Sequence, residues 1–241
     1  MSALLRIENV TASYAADIDI LRNVSLSVTA SQITGLIGLN GAGKSTLMKT
    51  VCGFLSPKAG SIYFDGADIT GIAPHTLVRR GIWYIPQESS LFPYMSVEHN
   101  LRLPLECGAG EGPAVQHLEE VLAHFPALRT RLRAQAGDLS GGQQKMLEFA
   151  KAYLVRPRLC LIDEPAIGLA PKIAAEVYQW IELFSVSGMA ILLIDHNVRR
   201  VVKMSEYIYV LSLGEISAEG RRAAFEGDLH DQVKTWLGVS F

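Results

Sequence analysis

The chain has 241 residues, of which 49% are hydrophobic and 19% charged, so it can form one domain with a packed core and room for an insertion. A net charge of −2 gives no electrostatic reason to expect nucleic acid as a partner. Three widely spaced cysteines, and histidines without paired spacing, argue against a disulfide framework and a transition-metal site.

Two kinds of β-strand are predicted along the chain. Short alternating or β-branched stretches bounded by turn residues predict a half-exposed antiparallel sheet, at residues 4–7, 24–28 and 61–64. Continuous apolar runs suit strands buried on both faces of a parallel sheet, and these cover residues 33–37, 159–162 and 190–194. Helical periodicity between them predicts helices at 44–52, 173–184 and 198–204.

The middle of the chain has a different character. From about residue 89 to 156 the patterns are helical, as at 115–124 and 142–155, with a glycine-rich patch at 107–113 that is typical of a flexible loop. We therefore predict one domain over residues 1–241, in which a helical subdomain at about 89–156 is inserted into an α/β core. That core covers residues 1–88 and 157–241.

A glycine-rich segment lies between a predicted strand and a predicted helix and matches Gly-x-x-x-x-Gly-Lys-Ser/Thr. Its glycines let backbone N–H groups surround phosphate oxygens, and the helix N-terminus adds positive potential. We expect Lys44 to reach the β- and γ-phosphates of a nucleoside triphosphate and Ser45 to ligate Mg²⁺. The predicted nucleotide-binding residues are Gly38, Leu39, Asn40, Gly41, Ala42, Gly43, Lys44, Ser45 and Thr46.

Two carboxylates, Asp163 and Glu164, follow a predicted buried strand. In α/β sheets that bind phosphate, ligands lie outside the carboxyl ends of the strands, where the glycine-rich segment is also predicted. Asp163 can hold Mg²⁺ through water, and Glu164 can act as the general base for an attacking water. Taken alone, the pair would be an ordinary acidic turn; the phosphate loop favours the catalytic interpretation.

A second candidate anion site lies at residues 139–143, Leu-Ser-Gly-Gly-Gln. Ser140 can cap a helix, and the two glycines leave backbone N–H groups accessible. This segment resembles the signature motif of ABC ATPases, and the resemblance extends from residue 4 to about residue 241. It implies an α/β fold with a P-loop NTPase core, an antiparallel β subdomain and an inserted α-helical subdomain. It also implies that the neighbouring subunit's ATP is bound by Ser140, Gly141, Gly142 and Gln143.

The resemblance assigns roles to other side chains, each of which would be unremarkable alone. Tyr14 resembles the aromatic residue that stacks on adenine. Gln87 resembles the glutamine that senses Mg²⁺ and water beside the helical subdomain. His196 resembles the switch histidine that contacts the γ-phosphate. The implied catalytic set is Glu164, His196, Gln87 and Lys44, and the implied metal set is Ser45, Gln87 and Asp163.

Several segments narrow the branch of the family. The loop after Glu164, at residues 165–171, reads Pro-Ala-Ile-Gly-Leu-Ala-Pro and lacks the aspartate that most ABC ATPases have there. This form is similar to ATPases of branched-chain amino acid importers. Three further segments are similar to the same branch, at residues 68–71, 91–101 and 236–238. Residues 86–90 and 195–199 are more similar to the ATPase of lipopolysaccharide export. We favour the importer type, with the exporter type as the alternative. A soluble ABC protein that acts on ribosomes or DNA is a further alternative, which a single phosphate loop and the lack of heptads disfavour.

The family resemblance also implies cofactors, partners and location. ATP and Mg²⁺ are the expected cofactors, and the expected partners are a second ATPase subunit, identical or paralogous, and transmembrane permeases. A solute-binding protein would act indirectly, and no nucleic acid is expected. Since no apolar run approaches the roughly 20 residues of a membrane helix, and residues 1–10 do not resemble a signal peptide, we expect a cytoplasmic protein held at the inner face of the membrane by partners. Its expected docking side chains are Leu91, Phe92, Tyr94 and Met95.

Overall fold

The computed structural model describes residues 3–15, 18–108 and 114–225. Part of the predicted glycine-rich loop and the branch-typical segment 236–238 lie outside these ranges. In the described chain the strands are β1 Ala3–Ala12, β2 Leu21–Thr29, β3 Ile33–Ile37, β4 Ala59–Phe64, β5 Ala67–Asp68, β6 Ile82–Ile85, β7 Leu159–Asp163, β8 Ala190–Ile194, β9 Tyr207–Ser212 and β10 Glu215–Arg221. The α-helices are α1 Lys44–Val51, α2 Pro74–Arg79, α3 Val97–Glu106, α4 Ala114–His124, α5 Pro126–Arg129, α6 Gly141–Val155, α7 Pro171–Val186 and α8 Val198–Met204.

One sheet is antiparallel and has the strand order β2-β1-β4-β5. Ile7 of β1 pairs with Leu26 on one side and Ile62 on the other, and all three side chains are buried. Alternate residues of these strands face the core, which is the pattern that the short alternating stretches predicted. The antiparallel sheet is confirmed, and β1 continues beyond its predicted end to Ala12.

The other sheet has six strands in the order β10-β9-β3-β8-β7-β6. Its central strands β3, β7 and β8 run parallel and are buried at every residue, as their continuous apolar sequences predicted. Local sequence patterns did not predict β6, β9 or β10. β6 has only four residues and pairs in parallel with β7, while β10 is an exposed strand that pairs antiparallel with β9.

Between β6 and β7 the described residues form helices α3 to α6, and apart from an isolated bridge they form no strand. An aromatic cluster joins this helical part to the core. The ring of Phe149 in α6 lies 5.4 Å from Trp180 and 5.5 Å from Phe184 of α7, and Phe125 lies 5.6 Å from Trp180. The helices therefore share their hydrophobic core with α7. The exact subdomain limits, 89 and 156, stay predictions.

The parallel sheet determines where a ligand can be bound. The carboxyl ends of β3, β7 and β8 meet at one edge, because these strands are parallel neighbours. The segments that follow them begin at Gly38, Glu164 and Asp195. Chemically active residues that are far apart in sequence are thereby brought to the same edge.

Candidate functional site

The phosphate loop connects β3 to α1 and depends on two glycines with left-handed backbones. Gly41 has φ 79° and Gly43 has φ 106°, a region that side chains with a Cβ rarely adopt. A Cβ on Gly43 would also lie 2.9 Å from Cδ2 of Leu21. Gly43 precedes α1 without a side-chain cap. The first N–H groups of α1 are therefore available to an anion.

Lys44 lies in the centre of the site and is only 5% exposed. Its ammonium donates hydrogen bonds to the carbonyls of Gly38 at 2.9 Å and Leu39 at 3.0 Å. Nζ also lies 3.9 Å from Oε1 of Glu164. Burial lowers the pKa of Lys44, and the nearby carboxylates of Glu164 and Asp163 oppose that change. A cation this well removed from water attracts a phosphate more strongly than an exposed one, because less solvent screens it.

Asp163 ends β7 and is 1% exposed. Its Oδ2 accepts a hydrogen bond from the Tyr84 hydroxyl at 3.2 Å, while Oδ1 is buried without a partner among the described residues. Burial raises the pKa of the Asp163 carboxyl, and the Ser45 and Tyr84 hydroxyls oppose that shift. A buried carboxylate oxygen with nothing to bind costs free energy unless a ligand satisfies it.

These oxygens fit a magnesium ion. Within residues 3–15, 18–108 and 114–225, no group of three or more His, Cys, Asp or Glu side chains could hold a metal by itself. Mg²⁺ commonly binds through one or two protein oxygens and completes its octahedron with phosphates and waters. Asp163 and Ser45 suit that mode of binding, in which the nucleotide supplies the remaining ligands.

Glu164 and His196 form a direct pair. Glu164 has φ 48°, an uncommon backbone for a residue with a side chain, and its N–H donates to the carbonyl of Ile194 at 2.9 Å. That contact turns the buried carboxylate towards the segment after β8. Nε2 of His196 lies 2.7 Å from Oε2 of Glu164. Asp195, before the histidine, accepts hydrogen bonds from the Tyr178 hydroxyl and from the N–H of Asn197.

A cavity of about 410 Å³ brings most of the predicted site residues together. Its walls are formed by Ile20, Asn40, Gly41, Gly43, Lys44, Ser45, Thr46, Gln87, Glu164, Ile167 and His196. We call it the nucleotide cavity. Gly38, Leu39 and Ala42 belong to the loop without lining the cavity, and Asp163 is not among the lining residues. The apolar lining residues Ile20 and Ile167 were not predicted from the sequence, because a lone isoleucine in a loop carries no signal for a ligand.

Tyr14 does not line the nucleotide cavity. It is 58% exposed, and Nζ of Lys49 lies 5.7 Å from its ring centroid. Tyr14 instead borders a second cavity of about 540 Å³, which we call the apolar groove. The groove is lined by Tyr14, Lys49, Cys52, Phe54, Pro74, Leu77, Val78, Ile82, Trp83, Tyr84, Pro86 and Ser90. The role of Tyr14 in adenine stacking stays a prediction.

The segment Ser140–Gln143 also lies outside the nucleotide cavity, at the start of α6. Ser140 and Gln143 cap each other: Gln143 N–H donates to Ser140 Oγ at 3.4 Å, and Ser140 N–H donates to Gln143 Oε1 at 3.1 Å. Ser140 and Gly141 are exposed. Within one copy of the chain, this helix start therefore contributes nothing to the walls of the nucleotide cavity.

Comparison with known proteins decides the family. Residues 21–167, more than half of the chain, match the sequence model of the family described as ABC transporter. The chain belongs to the ABC transporter family. It is the ATP-hydrolysing subunit of an ABC transporter, as the signature segment indicated, and the resemblance stated from the sequence is confirmed.

Relatives of this ABC ATPase include proteins of branched-chain amino acid transport and of lipopolysaccharide export. The high-affinity branched-chain amino acid transport ATP-binding protein BraG of Pseudomonas aeruginosa is 36% identical over 88% of this chain and 91% of its own length. The lipopolysaccharide export system ATP-binding protein LptB of Escherichia coli (strain K12) is 35% identical over 99% of both chains. The two identities are too similar to decide what is transported.

A solved structure has the same fold as this ABC ATPase. The crystal structure of the ADP conformation of an ATP-binding cassette of an ABC transporter has a TM-score of 0.85 and 30% sequence identity, and each chain covers 100% of the other. This likeness confirms the predicted P-loop NTPase fold with its two kinds of sheet. None of the helices in the described part of the ABC ATPase combines the length and the apolarity that a bilayer span needs.

Proposed function

We propose that this ABC ATPase hydrolyses Mg-ATP in the nucleotide cavity and thereby drives the import of branched-chain or other amino acids. The observation that carries the catalytic part is the convergence of Lys44, Ser45, Gln87, Glu164 and His196 around that cavity. A phosphate loop alone supports binding, whereas a carboxylate and an imidazole beside it support hydrolysis.

In the proposed mechanism the loop holds the phosphates. Backbone N–H groups of residues 38–46 surround the phosphate oxygens, and Lys44 neutralises charge on the β- and γ-phosphates. Ser45, Gln87 and Asp163 would hold Mg²⁺, which when bound offsets the negative charge that develops on the transferring phosphoryl group. Tyr14, through its exposed ring, would stack on adenine.

Glu164 is the proposed general base. It accepts a proton from the water that attacks the γ-phosphate, and the bond between the γ-phosphorus and the bridging oxygen breaks to leave ADP. Nε2 of His196 lies 2.7 Å from Oε2 of Glu164, so the imidazole restrains the carboxylate, whose Oε1 lies 3.9 Å from Nζ of Lys44. His196 would then contact the γ-phosphate when nucleotide is bound.

A second ATPase subunit, identical or paralogous, would complete each site. The residues Ser140, Gly141, Gly142 and Gln143 are at an accessible helix start that lies outside the nucleotide cavity of their own chain. In a head-to-tail pair they would meet the γ-phosphate bound by the neighbour. We propose that ATP drives closure of the pair because it binds more tightly to the closed pair than to the open pair. This closure would be the movement that is passed to the membrane subunits.

Membrane permeases are the proposed partners on the side of the helical subdomain, and through them a solute-binding protein acts indirectly. Phe92 is 50% and Tyr94 87% exposed, while Leu91 and Met95 are partly buried. We call residues 90–95 the docking segment; its first residue, Ser90, also lines the apolar groove. Together these surfaces suit an apolar helix of a permease, which would hold the ATPase at the cytoplasmic face of the membrane.

The backbone of the docking segment is held by buried polar groups. Asn100, in α3, accepts from the N–H of Phe92 at 2.9 Å and donates to its carbonyl at 3.0 Å. Glu148, in α6, accepts from the N–H of Ser90 at 2.6 Å, and Lys151 donates to the Ser90 carbonyl at 3.1 Å. Because the backbone of the docking segment is ordered before binding, docking costs little additional backbone entropy.

Amino acid import is favoured by the loop at residues 165–171 and by the identity to BraG. Lipopolysaccharide export is the second candidate, which residues 195–199 and the identity to LptB favour. Cells whose only copy carries Lys44→Ala should lose uptake of radiolabelled leucine, isoleucine and valine. Normal uptake combined with a loss of lipopolysaccharide at the cell surface would replace the importer assignment with the exporter one.

A further inference from the structure

Tyr84 is in direct contact with the proposed magnesium carboxylate. β6 and β7 are parallel neighbours, and Tyr84 is in register with Leu161, two residues before Asp163. Since side chains alternate along a strand, Tyr84 and Asp163 lie on the same face of the sheet. The Tyr84 hydroxyl donates to Oδ2 of Asp163 at 3.2 Å.

This hydrogen bond determines which carboxylate oxygen is free. Oδ2 is occupied by Tyr84, whereas Oδ1 is buried and has no partner among the described residues. Carboxylates that bind metals are oriented by hydrogen bonds to their other oxygen, and loss of such a bond typically weakens metal binding about 10- to 100-fold. The hydroxyl of Tyr84 is in the position to supply that orientation.

The ring of Tyr84 has a neighbouring ring beside it. It borders the apolar groove, and its centroid lies 6.3 Å from that of Phe54 in a tilted arrangement. The hydroxyl at the far end of the ring is directed to Asp163. A tyrosine side chain has only two torsions to fix, so this hydrogen bond forms at small cost in conformational entropy.

We infer that Tyr84 is a positioning residue that orients Asp163, so that Oδ1 is presented to the magnesium of the bound nucleotide. This rests on the proposed function, because the inference has no meaning if Mg-ATP is bound elsewhere. Tyr84 does not touch the nucleotide in this account. It acts only through the carboxylate.

The test compares Tyr84→Phe with the unmodified chain and with Tyr209→Phe. Tyr209 is a matched control, since its hydroxyl accepts a hydrogen bond from the N–H of Ser27 in β2, and neither residue lines the nucleotide cavity. Binding of Mn²⁺, a spectroscopic substitute for Mg²⁺, would be measured by electron paramagnetic resonance with a non-hydrolysable ATP analogue. Binding of the analogue alone would be measured in EDTA.

Tyr84→Phe is expected to weaken Mn²⁺ binding about 10-fold, whereas analogue binding in EDTA should match that of the unmodified chain. Tyr209→Phe should change neither. The inference is overturned, and the proposed function is not, if Tyr84→Phe binds Mn²⁺ as tightly as the unmodified chain. The same holds if Tyr209→Phe loses as much Mn²⁺ affinity as Tyr84→Phe, or if Tyr84→Phe loses binding of the analogue in EDTA. Failure of the unmodified chain to bind Mn²⁺ with the analogue overturns the proposed function as well.

Discussion

Helices α1 and α6 both begin at glycine-rich segments, yet the two helices differ in which groups accept hydrogen bonds from the backbone N–H groups of the first turn. α1 follows Gly43 without a side-chain cap, and its first residue, Lys44, is buried. α6 begins after Ser140 with a reciprocal capping box, and Ser140 and Gly141 are exposed. The first helix start is thus prepared for a ligand of its own chain, and the second is stable without one.

This difference has a physical consequence for the second site. The bond from Gln143 N–H to Ser140 Oγ is 3.4 Å long, which is near the limit for a hydrogen bond. A weak bond of this kind can be exchanged for one to a phosphate oxygen at small cost. We therefore expect α6 to contribute to ATP binding only when a neighbouring subunit presents the nucleotide.

The largest expected effect comes from removing the base while both helix starts stay intact. Glu164→Gln should bind ATP normally and lose turnover by roughly 100- to 10,000-fold, because an amide cannot accept the proton. The ATP-bound pair should then accumulate, detectable by size-exclusion chromatography. Turnover at the unmodified rate would remove Glu164 from the role of base.

The next effect separates α1 from α6. Lys44→Ala should abolish nucleotide binding in its own subunit, whereas Ser140→Arg should leave binding intact and block closure of the pair. In a mixed pair one site carries both lesions and the other carries none, so mixing the inactive variants should restore part of the ATPase activity. If mixed pairs are shown to form and the mixture still has no ATPase activity, then either the sites are not shared between two subunits or the two sites do not work independently.

A smaller effect on ATP binding is expected from the docking segment. Among the residues that the structure describes, its backbone is hydrogen-bonded to side chains of α6 and to none of α1. Replacing both Phe92 and Tyr94 with glutamate should detach the subunit from membranes that contain its permeases, since charged groups do not enter an apolar interface. ATP binding should stay near normal, because α1 is untouched. Sedimentation with membranes measures the loss, and replacing the exposed Val186 and Leu213 with glutamate serves as the control.

The smallest expected effect is on the stability of α6. Ser140→Ala removes a helix cap whose hydrogen bond is long, so it should lower the free energy of unfolding by about 0.5 kcal/mol, the low end for such caps. Gly141→Ala is the matched control, since a Cβ there meets no atom within 4 Å and should not destabilise the helix. Denaturant unfolding gives both values. If Ser140→Ala has the same free energy of unfolding as the unmodified chain, then the Ser140 side chain does not cap α6.

Much of the fold follows from local sequence patterns. β3, β7 and β8 were predicted because a run such as Leu-Cys-Leu-Ile has no polar side chain to expose and must be buried on both faces. α8 lies at Val198–Met204, as its periodicity predicted. By contrast, four-residue β6 is a strand because β7 pairs with it, and a pattern confined to one segment does not contain its partner.

By itself, the sequence determined which residues have suitable chemistry: the motif around Lys44 and the acidic pair at the end of β7 are each contiguous, so spacing along the chain is enough to find them. Only the tertiary structure decided which of these residues meet. Strand order brings His196 to within 2.7 Å of Glu164 and Tyr84 to within 3.2 Å of Asp163, while α6 keeps Ser140 out of the nucleotide cavity. The physical reason is that hydrogen bonds act over about 3 Å, whereas the residues they join are tens of positions apart and become neighbours only when the sheet forms.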